Sequence, residues 1–382
     1  MKDNATFAII GGGIAGLTTA IALTRLGFRV TVFEAAPLVR PLGAGLVLAA
    51  NAMQAIDRLG IARQVVAQGR QLEAFAILDE HGKVVTHTDT RMINERYGVH
   101  NFTIHRADLH RVLLDQLPPE TVQTGKRAVE RTEQVDGVTV RFDDNTHYQT
   151  DYLLVADGIH SPLRRQLIPN SVPRYAGYTC WRAVMDWPGN DLCEATETWG
   201  SCGRVGIVPL AGDQVYWFVC VNAPANDPQM RWQTPHDLAE RFASYHTPIP
   251  DLLAHTPVKN LLWNDIIDLQ PLARYAFGRT LLLGDAAHAT TPNMGQGACQ
   301  AIEDAVVLTD ELTRHPIPEQ AFIAYERRRL ARTHYITNTS WRIGQIAQIT
   351  HPLLISLRNG LFRRLPAWLN NQQLEMLYRV DF

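Results

Sequence analysis

The chain has no stretch of roughly 18 uninterrupted apolar residues, the length a membrane span requires, although 46% of its 382 residues are hydrophobic. It has no basic surplus. Lys and Arg number 36 against 38 Asp and Glu, a formal net charge of -2, so nucleic acid is not expected as a partner. Five cysteines, Cys180, Cys193, Cys202, Cys220 and Cys299, include no CxxC pair and none stands with histidines at metal-ligand spacing. The 14 histidines form no HExxH, so no metal is expected. Unpaired thiols are read as reduced, which predicts a cytoplasmic location. The apolar opening Phe7-Ala8-Ile9-Ile10 runs straight into glycines and lacks the basic region and apolar length of a secretory leader, so it is read as a buried strand. There is no internal repeat or low-complexity linker, and the length calls for two or three domains.

What is present is an alternation. Strand Ala8 to Ile10, helix Ile14 to Leu26, strand Arg29 to Phe33 and a helical stretch Asn51 to Leu59 make a βαβ opening of a parallel sheet. Two further strand-turn signals, Tyr152 to Gly158 and Thr280 to Asp285, end in glycine or aspartate, and three such distant segments suggest one discontinuous domain. Between them, Gly203 to Val221 and Asn260 to Leu269 are rich in β-branched and aromatic residues without helical period, as an antiparallel sheet requires. Beyond Pro316 the chain reads as polar-faced helices broken by Pro352 and Pro366. The amphipathic segment from His351 is read as packing on the protein's own core rather than lying on a membrane surface.

Gly11-Gly12-Gly13-Ile14-Ala15-Gly16 fits GxGxxG between a strand and a helix, and Glu34 ends the next strand at the distance of a ribose contact. Gly11 suits the tight turn, Gly13 lets a pyrophosphate approach the backbone, and Gly16 lets helix and strand pack closely. This fingerprint alone does not separate NAD from FAD. The later segments do: Leu282-Leu283-Gly284-Asp285-Ala286-Ala287-His288, then Pro292-Asn293-Met294-Gly295-Gln296-Gly297 leading into an apolar helix.

GxGxxG, a central Asp157-Gly158 and this late Gly284-Asp285, in that order over almost the whole chain, resemble the FAD-dependent aromatic hydroxylases, the class A flavoprotein monooxygenases. The resemblance implies an α/β fold: a Rossmann-like FAD-binding domain of the glutathione-reductase type, an inserted antiparallel-sheet substrate domain and C-terminal helices. On the sequence, residues 1–72, 98–176 and 266–325 form the first, 73–97 and 177–265 the second, and 326–382 the third. By the same resemblance, Asp285 meets the FAD ribityl chain, and Gly295, Gln296, Gly297, Ala298 and Cys299 face the flavin pyrimidine edge. Glu34 and Ala35 lie at the adenosine ribose, Ala128 near adenine, and Arg106 reaches the cofactor from a helix start. The Leu42-Gly43-Ala44-Gly45-Leu46 loop, Gly45 above all, lies beside the isoalloxazine, and Asp157 serves both FAD and the nicotinamide. With no second GxGxxG, NADH or NADPH is expected as a transient co-substrate. The implied reaction is insertion of one oxygen atom from O2 into a small aromatic or N-heterocyclic substrate through a flavin C4a-hydroperoxide.

Within the family the pattern is closest to bacterial urate hydroxylases. Gly177-Tyr178 precedes the sheet, and Arg204 and Tyr216 stand where catalytic, substrate-contacting residues are implied; Trp217, Pro292 and Asn293 are further substrate contacts. Urate is thus the leading single candidate, but the resemblance places an acid where this chain has Asn293, which carries no charge and removes no proton. Hydroxylation of another phenol or aromatic carboxylate stays open. So do a flavin-dependent double-bond reductase and a flavin-binding protein without turnover; a halogenase is disfavoured by the lack of a WxWxIP segment.

Overall fold

The computed structural model describes residues 5–37, 44–98, 100–189 and 192–382. Strand Thr6–Ile10 is central to a six-stranded sheet, with Arg29–Glu34 on one side and Tyr152–Val155 on the other, both parallel to it. Thr280–Leu282 follows Tyr152–Val155 in parallel and Val122–Thr124 follows Arg29–Glu34. The three glycine- or aspartate-ended segments of the sequence therefore lie side by side, with their carboxyl ends along one edge. Tyr152–Val155 is buried at every position, the unbroken apolar run of a parallel strand covered on both faces. Helix Ile14–Arg25 is buried from Ile14 to Leu23, being enclosed by this sheet and by helix Gly297–Arg314.

The second large sheet has seven strands in the order Leu262–Asp268, Arg174–Asp186, Gln214–Asn222, Gly203–Pro209, Ala195–Gly200, Ala74–Asp79, Val84–Asp89. It is antiparallel, as expected, except at one place: Ala195–Gly200 runs parallel to Ala74–Asp79. Its two faces are sorted by the period of two along each strand. One face, with Trp181, Ala183, Val205, Ile207, Trp217 and Val219, packs on Leu238, Ile249, Leu252 and Leu253 of two short helices. The opposite face looks toward the six-stranded sheet.

Helix Pro318–Ala347 spans 30 residues and passes through position 326, so the expected start of the C-terminal region falls inside one continuous helix. Pro352 opens helix Pro352–Phe362 and Pro366 caps helix Ala367–Tyr378, as helix-initiating prolines do. Helix Pro352–Phe362 overturns the expectation that its apolar side packs on the core. Leu353, Leu354, Leu357 and Leu361 are exposed, and Arg358 and Asn359 are its buried residues. The cause is Arg358: its guanidinium donates to the carbonyls of Ile346 and Ala347 and lies over the Trp199 ring, which turns the leucines outward. No helix among the described residues is long and apolar enough to cross a membrane.

Candidate active site

Between the two sheets lies a cavity of about 370 Å³. One wall is the six-stranded sheet's carboxyl edge. Gly11 adopts φ +106°, and a Cβ there would stand 2.3 Å from the Ala156 carbonyl oxygen; one on Gly16 would stand 1.9 Å from the Gly11 carbonyl. These two glycines are needed for close packing, whereas a Cβ on Gly13 would meet nothing within 4 Å, and Gly13, Ile14 and Ala15 line the cavity. No side chain caps helix Ile14–Arg25 or helix Gly297–Arg314, so both present bare amides where Gly13 to Ala15 and Gly297 to Ala298 border the cavity. Two uncapped helix N-termini and an open glycine cradle suit a group carrying phosphates and an electron-rich ring edge.

Asp285 is exposed into this space while Ala286, Ala287 and His288 behind it are buried. Its turn is held from below: the Gly284 amide donates to Asp304 Oδ2 at 2.8 Å, as does His288 Nε2, and Arg329 Nε donates to Asp304 Oδ1 at 2.8 Å. Burial opposes the charge on Asp304, but His288 and Arg329 outweigh it and hold that carboxyl well below the usual range. Arg106, first residue of the helix after strand Asn101–His105, lines the cavity, as do Gly45 and Gly295. Leu42 and Gly43 of the same loop as Gly45 lie outside the described residues.

Several expected cofactor residues stand behind this lining. Glu34 accepts from the amides of Gly12 and Ala36, at 2.7 and 2.8 Å, so it shapes the turn that flanks Ala35. Asp157 abuts Gly11 with both carboxylate oxygens buried and unpartnered, and desolvation pushes its carboxyl up to about 6. Such an acid seeks a donor, which a cofactor hydroxyl can supply. Ser161 caps the next helix, and buried Arg164 donates to the carbonyls of Ile159 and Ser171. Both act on the backbone of this turn. Ala128 is buried opposite Phe142, Gln296 accepts from Asn51 and Gln300, and Cys299 is buried in its helix; none of the three lines the cavity.

The facing wall is the seven-stranded sheet. Arg204 is buried, donates from Nη1 to Glu197 Oε1 at 2.9 Å and from Nη2 to Asn293 Oδ1 at 2.8 Å, and leaves Nε without an acceptor. Glu197 also accepts from Trp199 Nε1 at 2.9 Å. Asn293 accepts a second bond from the Tyr178 hydroxyl at 3.1 Å and donates from Nδ2 to Thr291 Oγ1 and the Ser340 carbonyl, at 2.9 and 2.8 Å. It is a saturated bracket with no free acceptor to take a proton. Tyr216 and Pro292 line the cavity, and the Tyr216 ring seals against Gly45, where a Cβ would come within 2.5 Å of its Cγ. Burial raises the Tyr216 phenol far above its ordinary pKa, so it serves as a neutral hydroxyl.

Trp217 is a correction. It is fully buried on the opposite face and donates from Nε1 to Thr256 Oγ1 at 2.9 Å, because adjacent strand residues cannot share a face. The residues that do share the Tyr216 face are Phe218, expected as an apolar wall, and four that sequence reasoning missed, Cys180, Arg182, Glu197 and Cys220. Cys180 and Cys220 oppose each other across paired strands. A hydrogen bond from Cys220 favours the Cys180 thiolate against the cost of burial, so Cys180 is the more acidic of the two. Period-two counting from Tyr216 and Tyr178 reaches Phe218, Cys220, Cys180 and Arg182 but not Glu197, which stands on another strand.

The sequence matches the FAD binding domain family over residues 4–340. It is 38% identical over 367 residues to the aurachin C monooxygenase/isomerase of Stigmatella aurantiaca, covering 95% of both chains. It is 35% identical over 306 residues to an FAD-dependent urate hydroxylase of Klebsiella pneumoniae, covering 78% of this chain and 79% of that one. A crystal structure of Klebsiella pneumoniae HpxO with FAD and uric acid superimposes with a TM-score of 0.91 at 30% identity, over 98% of this chain and 97% of the other. The chain belongs to the FAD-dependent monooxygenases of the aromatic hydroxylase type.

Proposed function

We propose that this chain hydroxylates a small planar phenol or N-heterocycle bound on the cavity face of the seven-stranded sheet, with NADH or NADPH as reductant. The observation that carries this reading is the buried Arg204, braced by Glu197 and Asn293 and still holding one unpartnered Nε donor beside the cofactor cradle. When bound, FAD supplies the hydride acceptor and the oxygen-activating ring. Gly13, Arg106, Asp285 and the amides from Gly297 hold it, and Arg204 orients a substrate oxygen or ring nitrogen. Tyr216, Phe218, Val208, Ile266 and Pro292 exclude water around the reacting carbon.

No uncommitted base stands on the sheet side. Glu197 is ion-paired with Arg204 and accepts from Arg204 and Trp199 through Oε1, and Asn293 is an amide whose polar atoms are all bonded. The fitting substrate is therefore one whose ring is already electron-rich or ionised on arrival. Urate, named for one relative, meets that demand and stands as the first compound to try, ahead of hydroxybenzoates and hydroxyquinolines. The test is NAD(P)H-dependent oxygen uptake by the FAD-loaded protein with these compounds, beside an Asn293→Asp variant. Uptake stimulated by one compound, with a hydroxylated product, supports the reading. Flavin that is reduced and reoxidised at the same rate with every compound refutes it.

A further inference from the structure

The wall of the cavity formed by the seven-stranded sheet carries two guanidinium groups, and only one is neutralised. Arg204 is paired with Glu197. Arg182 lies on the same face of strand Arg174–Asp186, two residues beyond Cys180, and borders the cavity. Its Nη2 donates to the neutral Asn264 Oδ1 at 2.9 Å, and its Nε is buried with no acceptor. It forms no ion pair among the described residues, and the polarisable groups nearest it are Cys180, Tyr216 and Cys220. A partly desolvated guanidinium without a carboxylate is costly to keep charged and cannot shed its proton. Burying it beside the substrate wall is favourable when the ligand brings the missing charge.

We propose that Arg182 is an anion subsite of the substrate cavity, which receives a carboxylate or ionised ring oxygen of the aromatic substrate while Arg204 orients the neutral part. This rests on the hydroxylase reading above and narrows it to substrates that are anionic when bound. It also separates the two arginines. Arg204 is committed to Glu197 and Asn293 and shapes the wall, whereas Arg182 discriminates by charge.

The probes are 2-hydroxybenzoate with 2-hydroxybenzamide, and quinoline-4-carboxylate with its amide, pairs alike in shape and different in charge. Dissociation constants are read from the flavin spectrum of the FAD-loaded protein. The wild type is expected to prefer the carboxylates. Arg182→Met should weaken them by roughly 10- to 100-fold, the worth of a charge-assisted hydrogen bond, and change the amides by less than about threefold. Arg182→Lys, which keeps the charge, should restore part of the preference, and flavin content should match wild type in both variants. A wild type that binds the amides as well as the carboxylates, or binds no carboxylate, overturns the subsite. So does an Arg182→Met variant that loses both members equally. If Arg182 serves only as counter-ion to the Cys180 thiol, the variant shifts the pH dependence of Cys180 alkylation and leaves the carboxylate-to-amide ratio unchanged, which also overturns it. Oxygen uptake stimulated by a neutral compound would keep the hydroxylase reading while removing the subsite, so the two fail separately.

Discussion

Replacing Arg204 by Met tests whether that residue holds the wall together or only touches substrate. The Arg204 and Glu197 side chains are 2% and 10% exposed and 2.9 Å apart. Removing the cation leaves a buried carboxylate with one remaining donor, Trp199 Nε1, while Asn293 keeps Tyr178. Breaking a buried pair on one side costs about 3–5 kcal/mol. With an unfolding entropy proportional to length, that is a fall in melting temperature of roughly 4–6 °C for a chain of this size. Replacing both partners, Arg204→Met with Glu197→Leu, removes the orphaned charge and should recover most of the loss, because an apolar pair of similar volume is about as stable as a buried ion pair. Substrate binding should not recover with it, since the free Nε donor is gone in both variants. The assay is thermal unfolding followed by intrinsic flavin fluorescence, with flavin content and substrate titration on the same samples. A single variant as stable as the wild type, or a double variant no better than the single, would refute the argument that Glu197 depends on Arg204.

Asp285→Ala removes the carboxylate exposed into the cavity and should lower FAD occupancy without loss of fold; full occupancy, measured by flavin-to-protein absorbance, would exclude that contact. Gly45→Ala places a methyl group on the Tyr216 ring, 2.5 Å from its Cγ, and should displace the ring and reduce substrate-stimulated oxygen uptake several-fold, which steady-state kinetics would detect. Asp157 is raised from 3.8 to about 6 by burial, so the folded apoprotein keeps a proton that the unfolded chain loses over that window. Its stability should therefore fall as pH rises from about 4 to 6, by about 2–3 kcal/mol at most. Asp157→Asn should flatten that slope in urea titrations of the apoprotein.

The glycine turns on the cofactor side were legible because their signals are local, whereas nothing local showed that Glu34, Ala128, Gln296 and Cys299 stand behind the cavity lining. A glycine run between strand and helix has few other uses, and Gly11 to Gly16 and Gly284-Asp285 stand at the carboxyl edge of the sheet. The substrate side was harder. Strand Gly203–Pro209 is buried at all seven positions, so apolar alternation does not reveal which phase faces the cavity, and Trp217 was assigned to the face that Tyr216 occupies. Glu197 was invisible because its meaning comes from Arg204 on the neighbouring strand. The outward leucines of helix Pro352–Phe362 were misread for a similar reason. The amphipathic pattern is real, but Arg358 finds carbonyls and a tryptophan ring inside, and that contact sets the rotation.

The acid pair beneath the Gly284-Asp285 turn joins parts of the chain that are far apart in sequence. Glu303 and Asp304 bind Arg329, Glu303 also binds Arg332, and Arg332 reaches on to the carbonyls of Met376 and Leu377. The Gly284-Asp285 turn and the last helices of the chain thus share one lattice of charge. Ligand binding and local opening are then thermodynamically linked. Saturating the protein with FAD should slow hydrogen exchange in helix Pro318–Ala347, and nicking the C-terminal helices should loosen the cofactor, so the yellow colour of a preparation doubles as a gauge of the integrity of its far end.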